Sequence, residues 1–308
     1  MSFSFCLTND DINIMEFLQQ IVNALSLGSV YALFALGFTL IFGVLGVVNL
    51  AHGAIFMVGA YAGLVLVQHF GLPLWLAMLG AMLISGIVGV VSDLFILRPL
   101  RQRKASHLAP MIATIGVAIF LANIVQGLFG AENQRFPIEA VPDGFWDFEH
   151  FSFTALDVIS TSVSIILMFI LLFIMNQTKI GRALRAIAEN TRAAWLLGVP
   201  VEKMFIAVSF IAAALGGAAG LLFGITYNAI TPFMGQGMLD KGIAVIILGG
   251  MGDVRGAMIG GLFLGFAEVL SVAYLSSDFR DAVSFGLLFI ILLIRPAGLF
   301  GKVLERKA

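Results

Sequence analysis

Charge is what this sequence most lacks. Only 11% of its 308 residues are Asp, Glu, Lys or Arg, against roughly 25% in an ordinary globular domain. From Phe17 to Ser92 there is none in 76 residues. A water-soluble domain could not cover such a surface with polar groups, so a soluble fold is excluded. Cysteine is nearly absent too, and Cys6 alone excludes an internal disulfide and a cysteine-built metal site. The four histidines (His52, His69, His107, His150) are scattered and give no metal-ligand pair on one face. No phosphate loop of the form Gly-x-x-x-x-Gly-Lys-Ser/Thr and no nucleophile–base constellation occurs, so neither an enzyme nor a cofactor or metal is indicated. A net charge of −1 offers nothing to nucleic acid. No Lys or Arg precedes the first apolar run, so a cleaved signal peptide is not expected. The residues before that run read as a short polar tail, within which Met15 offers a second start.

What is there is hydrocarbon: 60% of residues are hydrophobic and mean hydropathy is +1.04. Runs of 18 or more apolar residues read as membrane-crossing helices. Here they predict spans near 17–43, 53–69, 74–97, 108–130, 158–176, 204–226, 238–252, 257–275 and 282–300. The seventh is short and contains Lys241, which suits a broken or re-entrant segment. The fold class expected is therefore all-α, one polytopic transmembrane helical bundle of about eight or nine spans over residues 1–308. Lys and Arg concentrate in 98–104, 177–203, at Arg255 and from Arg295 onward, 14 of 17 in all. The loop 131–157 and the turn 276–281 on the opposite side are acidic or nearly neutral. The positive-inside rule then places the N-terminus and the 131–157 loop outside and the C-terminus inside. Glycines at four-residue spacing (Gly59 and Gly63, Gly216 and Gly220, Gly261 and Gly265) predict close helix–helix approach.

Polar residues inside this oil are the candidates for function. Asn49 and His52 sit in "VVNLAHGAIF", bracketed by Gly43, Gly46 and Gly53. Two readings stand: a helix break whose side chains satisfy freed backbone groups, or groups lining a water-filled pathway. Glu268 is either a cavity-lining carboxylate or proton relay, or a carboxylate hydrogen-bonded across the bundle. Asp240 and Lys241 read as an ordinary outer-surface turn. In "KIGRALRAIAENTRAAWLLGVP" (179–200), Arg182, Arg185, Glu189 and Arg192 share one helix face, with Ile180, Leu184, Ile187, Thr191 and Trp195 opposite. One amphipathic helix is expected there, supported by Arg185–Glu189 and Glu189–Arg192 pairs and ending near Gly198. It would either rest on lipid headgroups or dock a cytoplasmic partner.

Four stretches together resemble the LivH family, permease subunits of bacterial branched-chain amino acid ABC importers. They are "LGSVYALFALGFTLIFGVLGVVNLAHGAIFMVGAY" (27–61), "GRALRAIAENTRAAWLLGV" (181–199), "LGGMGDVRGAMIGGLFLGFAE" (248–268) and "RPAGLFG" (295–301). The resemblance implies an inner-membrane subunit paired with a second permease subunit, two cytoplasmic ATP-binding subunits and a periplasmic amino-acid-binding protein. It makes the 179–200 segment the coupling element. Glu189, Asn190, Arg192, Ala193, Ala194 and Gly198 are carried over as its positions, beside Arg182 and Arg185 of its charged face. Competing readings are a permease for urea or short amides, a proton-coupled secondary transporter working through Glu268, and a membrane scaffold.

Overall fold

The computed structural model describes residues 9–301 apart from 104, 107, 138–143 and 149–150, with backbone only for 9–15, 145–148 and 151–153. Cys6, His107, His150 and three acidic residues of the long loop (Glu139, Asp143 and Glu149) lie outside what it describes, as does the basic tail past Gly301. Each of the nine apolar runs becomes one helix: α1 (Asn9–Leu45), α2 (His52–Gln68), α3 (Leu74–Ser92), α5 (Leu108–Phe129), α6 (Ala155–Gln177), α9 (Val201–Tyr227), α10 (Met234–Gly249), α11 (Val254–Tyr274) and α12 (Arg280–Ile294). Short helices α4 (Arg98–Gln102), α7 (Lys179–Glu189) and α8 (Thr191–Leu196) belong to the connections. Among the described residues, six helices are long and apolar enough to cross a membrane. α2, α10 and α12 have only 17, 16 and 15 residues, or about 22–26 Å at 1.5 Å per residue. Helix α1 already begins at Asn9, so part of the expected polar tail is helical.

Starts and stops follow local chemistry. Thr154 and Asp157 form a reciprocal capping box at the head of α6. Pro73 and Pro200 immediately precede α3 and α9, where a missing backbone N–H costs nothing. Part of the long loop is a hairpin, β1 (Phe145–Phe148) against β2 (Phe151–Thr154), antiparallel with Phe145 opposite Thr154, so the otherwise helical fold carries two short strands that the sequence reading left as loop.

α1 and α9 are buried along most of their length, while α3, α5 and α6 turn apolar side chains outward. The predicted glycine pairs do bring helices together. Gly59 of α2 lies against Gly217 of α9, Gly220 against the Phe56 carbonyl, and Gly261 and Gly265 of α11 against Ala32 and Gly28 of α1. In lipid, such close backbone contact rather than a hydrophobic drive holds helices together.

The connections gather at two ends. At one, Arg98 pairs with Glu202 at 3.1 Å, Gly43 meets Gly252, and Leu299 and Phe300 bond back to Leu248 and Gly249. At the other, Gln134 bridges to Ile230 and the Phe136 amide donates to Asn228 Oδ1. The basic connections share the first end.

A buried carboxylate that the sequence reading passed over lies near that end. α3 runs into α4 through a π-helical turn, Asp93–Leu97, and Asp93 is only 1% exposed. Arg101 holds it with two hydrogen bonds, of 2.6 and 3.2 Å, and stacks over Phe205 of α9 at 4.5 Å. Breaking a buried pair by removing one partner costs about 3 kcal/mol or more. Asp93→Ala is expected to lower the thermal unfolding midpoint in detergent markedly, with Asp93→Asn intermediate.

Candidate functional site

The segment 179–200 is two helices, not one. Thr178 caps α7 by accepting from the Gly181 amide at 3.1 Å, and the segment then breaks at Asn190, whose backbone is extended. The Asn190 side chain accepts from the Ala193 amide at 2.9 Å and starts α8. That break explains two corrections. Leu184 and Ile187 are buried as the apolar stripe requires, but past the kink the stripe swings outward and Trp195 is 65% exposed, followed by exposed Leu196 and Leu197. Ile180 and Thr191 are also exposed, and it is Ala194 that packs inward. The expected Glu189 ion pairs do not form among the described residues; the Arg185 guanidinium instead donates to the Met175 carbonyl at the end of α6. Arg182, Glu189, Asn190, Arg192, Ala193 and Gly198 all lie exposed on this element. A surface groove of about 770 Å³ beside it is lined by Arg192, Trp195, Val199, Pro200 and Glu202. An exposed apolar knob ringed by polar groups can dock a protein surface.

The second region is the break before α2. α1 continues eleven residues beyond Phe34, about 16 Å, yet His52 lies beside Phe34 with its Nε2–H donating to the Phe34 carbonyl at 3.3 Å. The chain from Gly46 to Ala51 therefore folds back into the bundle, and α2 starts well inside it. Asn49 Oδ1 accepts from the Ala51 amide at 3.1 Å, and Thr114 Oγ1 of α5 accepts from the Leu50 amide at 3.1 Å. Unsatisfied amides at that depth would cost several kcal/mol each, and these two side chains prevent it. His52 is fully buried, stacked on Phe38 at 5.7 Å and tilted against Phe34 at 4.8 Å. Gly37 and Gly216 make room for its ring. These contacts satisfy the backbone groups that the helix break frees. Leu50 and Gly53 beside them line a cavity.

The third is a cluster of charges. Glu268 is 0% exposed and accepts from Tyr31 at 2.9 Å, Ser284 at 2.7 Å and Arg280 Nε at 2.8 Å, and it pairs with Lys241. Lys241 also reaches Asp281 at 2.6 Å. The outer-turn reading of Asp240–Lys241 is thus corrected: Lys241 is in the middle of α10 with its ammonium buried among carboxylates, because helical periodicity turns it inward while Asp240 stays exposed. Glu268, Asp281, Lys241 and Arg280 sum to zero charge. Glu268 and Arg280 also line a cleft of about 280 Å³ with Gln20, Asn23 and Tyr227. Sequence reasoning found Glu268 but missed Tyr31, Arg280, Asp281 and Ser284, whose partnership spans up to 249 residues of chain. The three regions are separate; no single centre unites them.

Comparison with known proteins gives these features a context. The profile of a family described as "Branched-chain amino acid transport system / permease component" matches residues 20–292. The chain is 36% identical over 301 residues to the high-affinity branched-chain amino acid transport system permease protein LivH of Escherichia coli strain K12, covering 94% of this chain and 96% of that one. It is 25% identical to the permease protein LivM of the same organism, over 90% of this chain and 69% of LivM. Among solved structures, PsaBC from Streptococcus pneumoniae in complex with Fab superposes with a TM-score of 0.53 at 15% identity, covering 94% of this chain and 96% of that one, which establishes likeness of fold.

Proposed function

The chain belongs to the family of branched-chain amino acid transport system permease components, and from that premise we propose that it is the membrane-spanning permease subunit of an ATP-driven importer for branched-chain, aliphatic amino acids. The observation that carries the reading is the 36% identity to LivH along almost the whole chain. It is a multi-pass membrane protein, and in this reading it lies in the bacterial inner membrane with its basic end toward the cytoplasm. All nine apolar helices then cross or enter the bilayer, the three short ones entering obliquely or partway. A second permease subunit completes the pathway, and the resemblance of this chain to both LivH and LivM favours a partner of the same fold.

ATP would be hydrolysed by two cytoplasmic partner subunits, and a periplasmic binding protein would deliver substrate to the outer end. The α7–α8 element is the coupling surface: Arg182, Arg185, Glu189, Asn190, Arg192, Ala193, Ala194 and Gly198 present or shape the face that meets the ATPase. Its contact with α1, α6 and α9 lets a push from below tilt the bundle, switching the open side by rigid-body alternation. Asn49 and His52 hold the break beside the pathway, and Glu268 braces its outer end. Glu189→Lys is expected to leave helicity and unfolding temperature unchanged while cutting permease-stimulated ATP hydrolysis at least tenfold; unchanged stimulation would overturn the coupling assignment.

Purification from the native membrane in mild detergent tests the whole reading. Two ATP-binding subunits and a second polytopic chain should accompany this one, and the reconstituted complex should take up leucine on addition of ATP. A lone chain that transports by itself would favour the proton-coupled alternative. Uptake of urea in place of leucine would favour the amide permease.

A further inference from the structure

Where α2 starts inside the bundle, its first turn crosses the first turn of α10 so closely that the Gly53 and Gly235 backbones touch. Beside this crossing is a cavity of about 160 Å³, open on the side where Ile119, Asn123, Phe233 and Gln236 are exposed. Three elements wall it. α5 supplies Ala118, Ile119, Ala122 and Asn123, a single helix face by their spacing. The α2 end supplies Leu50, Gly53 and Ala54, and the α10 end Phe233, Gln236 and Leu239. The cavity is about half the lower bound for drug-sized ligand sites, roughly 300 Å³, so it suits a molecule of a few carbons. Its wall is apolar except for two amides. Asn123 turns its Nδ2 back to the Ile119 carbonyl at 2.7 Å, which leaves its Oδ1 as an acceptor. The Gln236 amide has no side-chain partner among the described residues, and it can both donate and accept.

We infer that this cavity is the transit site for the substrate, which deepens the reading above and rests on it. A branched aliphatic side chain lies between Ala118, Ala122 and Leu239, while the ammonium and carboxylate meet Asn123 and Gln236. Small residues on α5 set the room available, so this pocket adds a size filter independent of the binding protein. The Asn49 and Thr114 bonds then gain a purpose, since they fix the chain end that forms one wall.

The test uses the assembled importer with its partner permease, ATPases and binding protein in proteoliposomes, in a Cys6→Ser background. Ala122→Cys is labelled with a small methanethiosulfonate reagent during turnover with leucine-loaded or ligand-free binding protein. Labelling is expected to slow at least fivefold with leucine. Ala118→Leu, which fills empty space, is expected to reduce leucine uptake at least tenfold while ATP hydrolysis stimulated by the binding protein stays within twofold. Equal labelling with and without leucine, or undiminished leucine uptake by Ala118→Leu, overturns the site alone. A parent importer that takes up no branched-chain amino acid overturns the functional reading, and the site with it.

Discussion

Glu268→Ala is expected to lose about 3–5 kcal/mol, the range for removing one partner from a buried ion pair, and to lower the thermal midpoint in detergent by about 10 °C. The loss is large because two cations lose their shared acceptor at once. Lys241 is left with one exposed carboxylate and Arg280 with a tyrosine hydroxyl. Neutralising a matched pair removes most of that cost. Lys241→Met combined with Glu268→Gln lets the amide oxygen accept from Tyr31 while its NH2 donates to Ser284 Oγ, and it leaves Arg280 and Asp281 as equal and opposite charges. The double variant should therefore recover most of the lost midpoint, which thermal unfolding monitored by intrinsic fluorescence measures directly. It also separates two roles for the carboxylate. An amide cannot carry a proton, so ATP-driven uptake by the double variant would rule out the proton-relay role, while a stable but inactive double variant would support it.

Gly220→Val is the second large effect. A Cβ at Gly220 would be driven into the Phe56 carbonyl oxygen, and the backbone on both sides is held by the neighbouring Gly59–Gly217 contact. Backbone cannot swing aside as a side chain can, so α2 and α9 must separate. Overpacking of a filled core costs about 1–3 kcal/mol and occasionally more, and this site has no free volume to absorb it. The expected outcome is aggregation or failure to accumulate in the membrane. Gly127→Val on α5 has nothing within 4 Å and should accumulate normally. Equal yields of the two variants in size-exclusion profiles would contradict the packing described here.

Much of the fold is legible in the sequence because the membrane enforces a local rule: apolar runs become helices wherever backbone groups have no water to bond. The nine runs therefore each map onto a helix, with ends displaced by up to eight residues, as at the start of α1. Asn190 was legible in principle, since Asn followed by Thr-Arg-Ala-Ala is an N-cap signal. A continuous charged face drew attention from it and suggested a single helix. Asp93 sits at the seam between an apolar run and a basic loop, and its partner Arg101 lies eight residues on, a spacing that only the π-helical turn brings into register. Lys241 was least legible. Its neighbour Asp240 suggested a turn, whereas its partners lie 27 and 40 residues later. Pairings across such distances depend on how helices pack, which no local pattern encodes. The same holds for the cavity at the α2–α10 crossing, whose alanines look like any other alanines in a span.

Electrical neutrality of the Glu268–Asp281–Lys241–Arg280 group has a consequence for energetics under a membrane potential. A unit charge carried through the full field exchanges about 2.3 kcal/mol per 100 mV. A lone Glu268 on a moving helix would make the conformational cycle voltage-dependent, and the resting potential would favour one of its states. Four charges summing to zero and moving as one body exchange almost nothing with the field. In the ATP-driven alternation proposed above, this group then adds no voltage dependence of its own, and the membrane potential does no work on it.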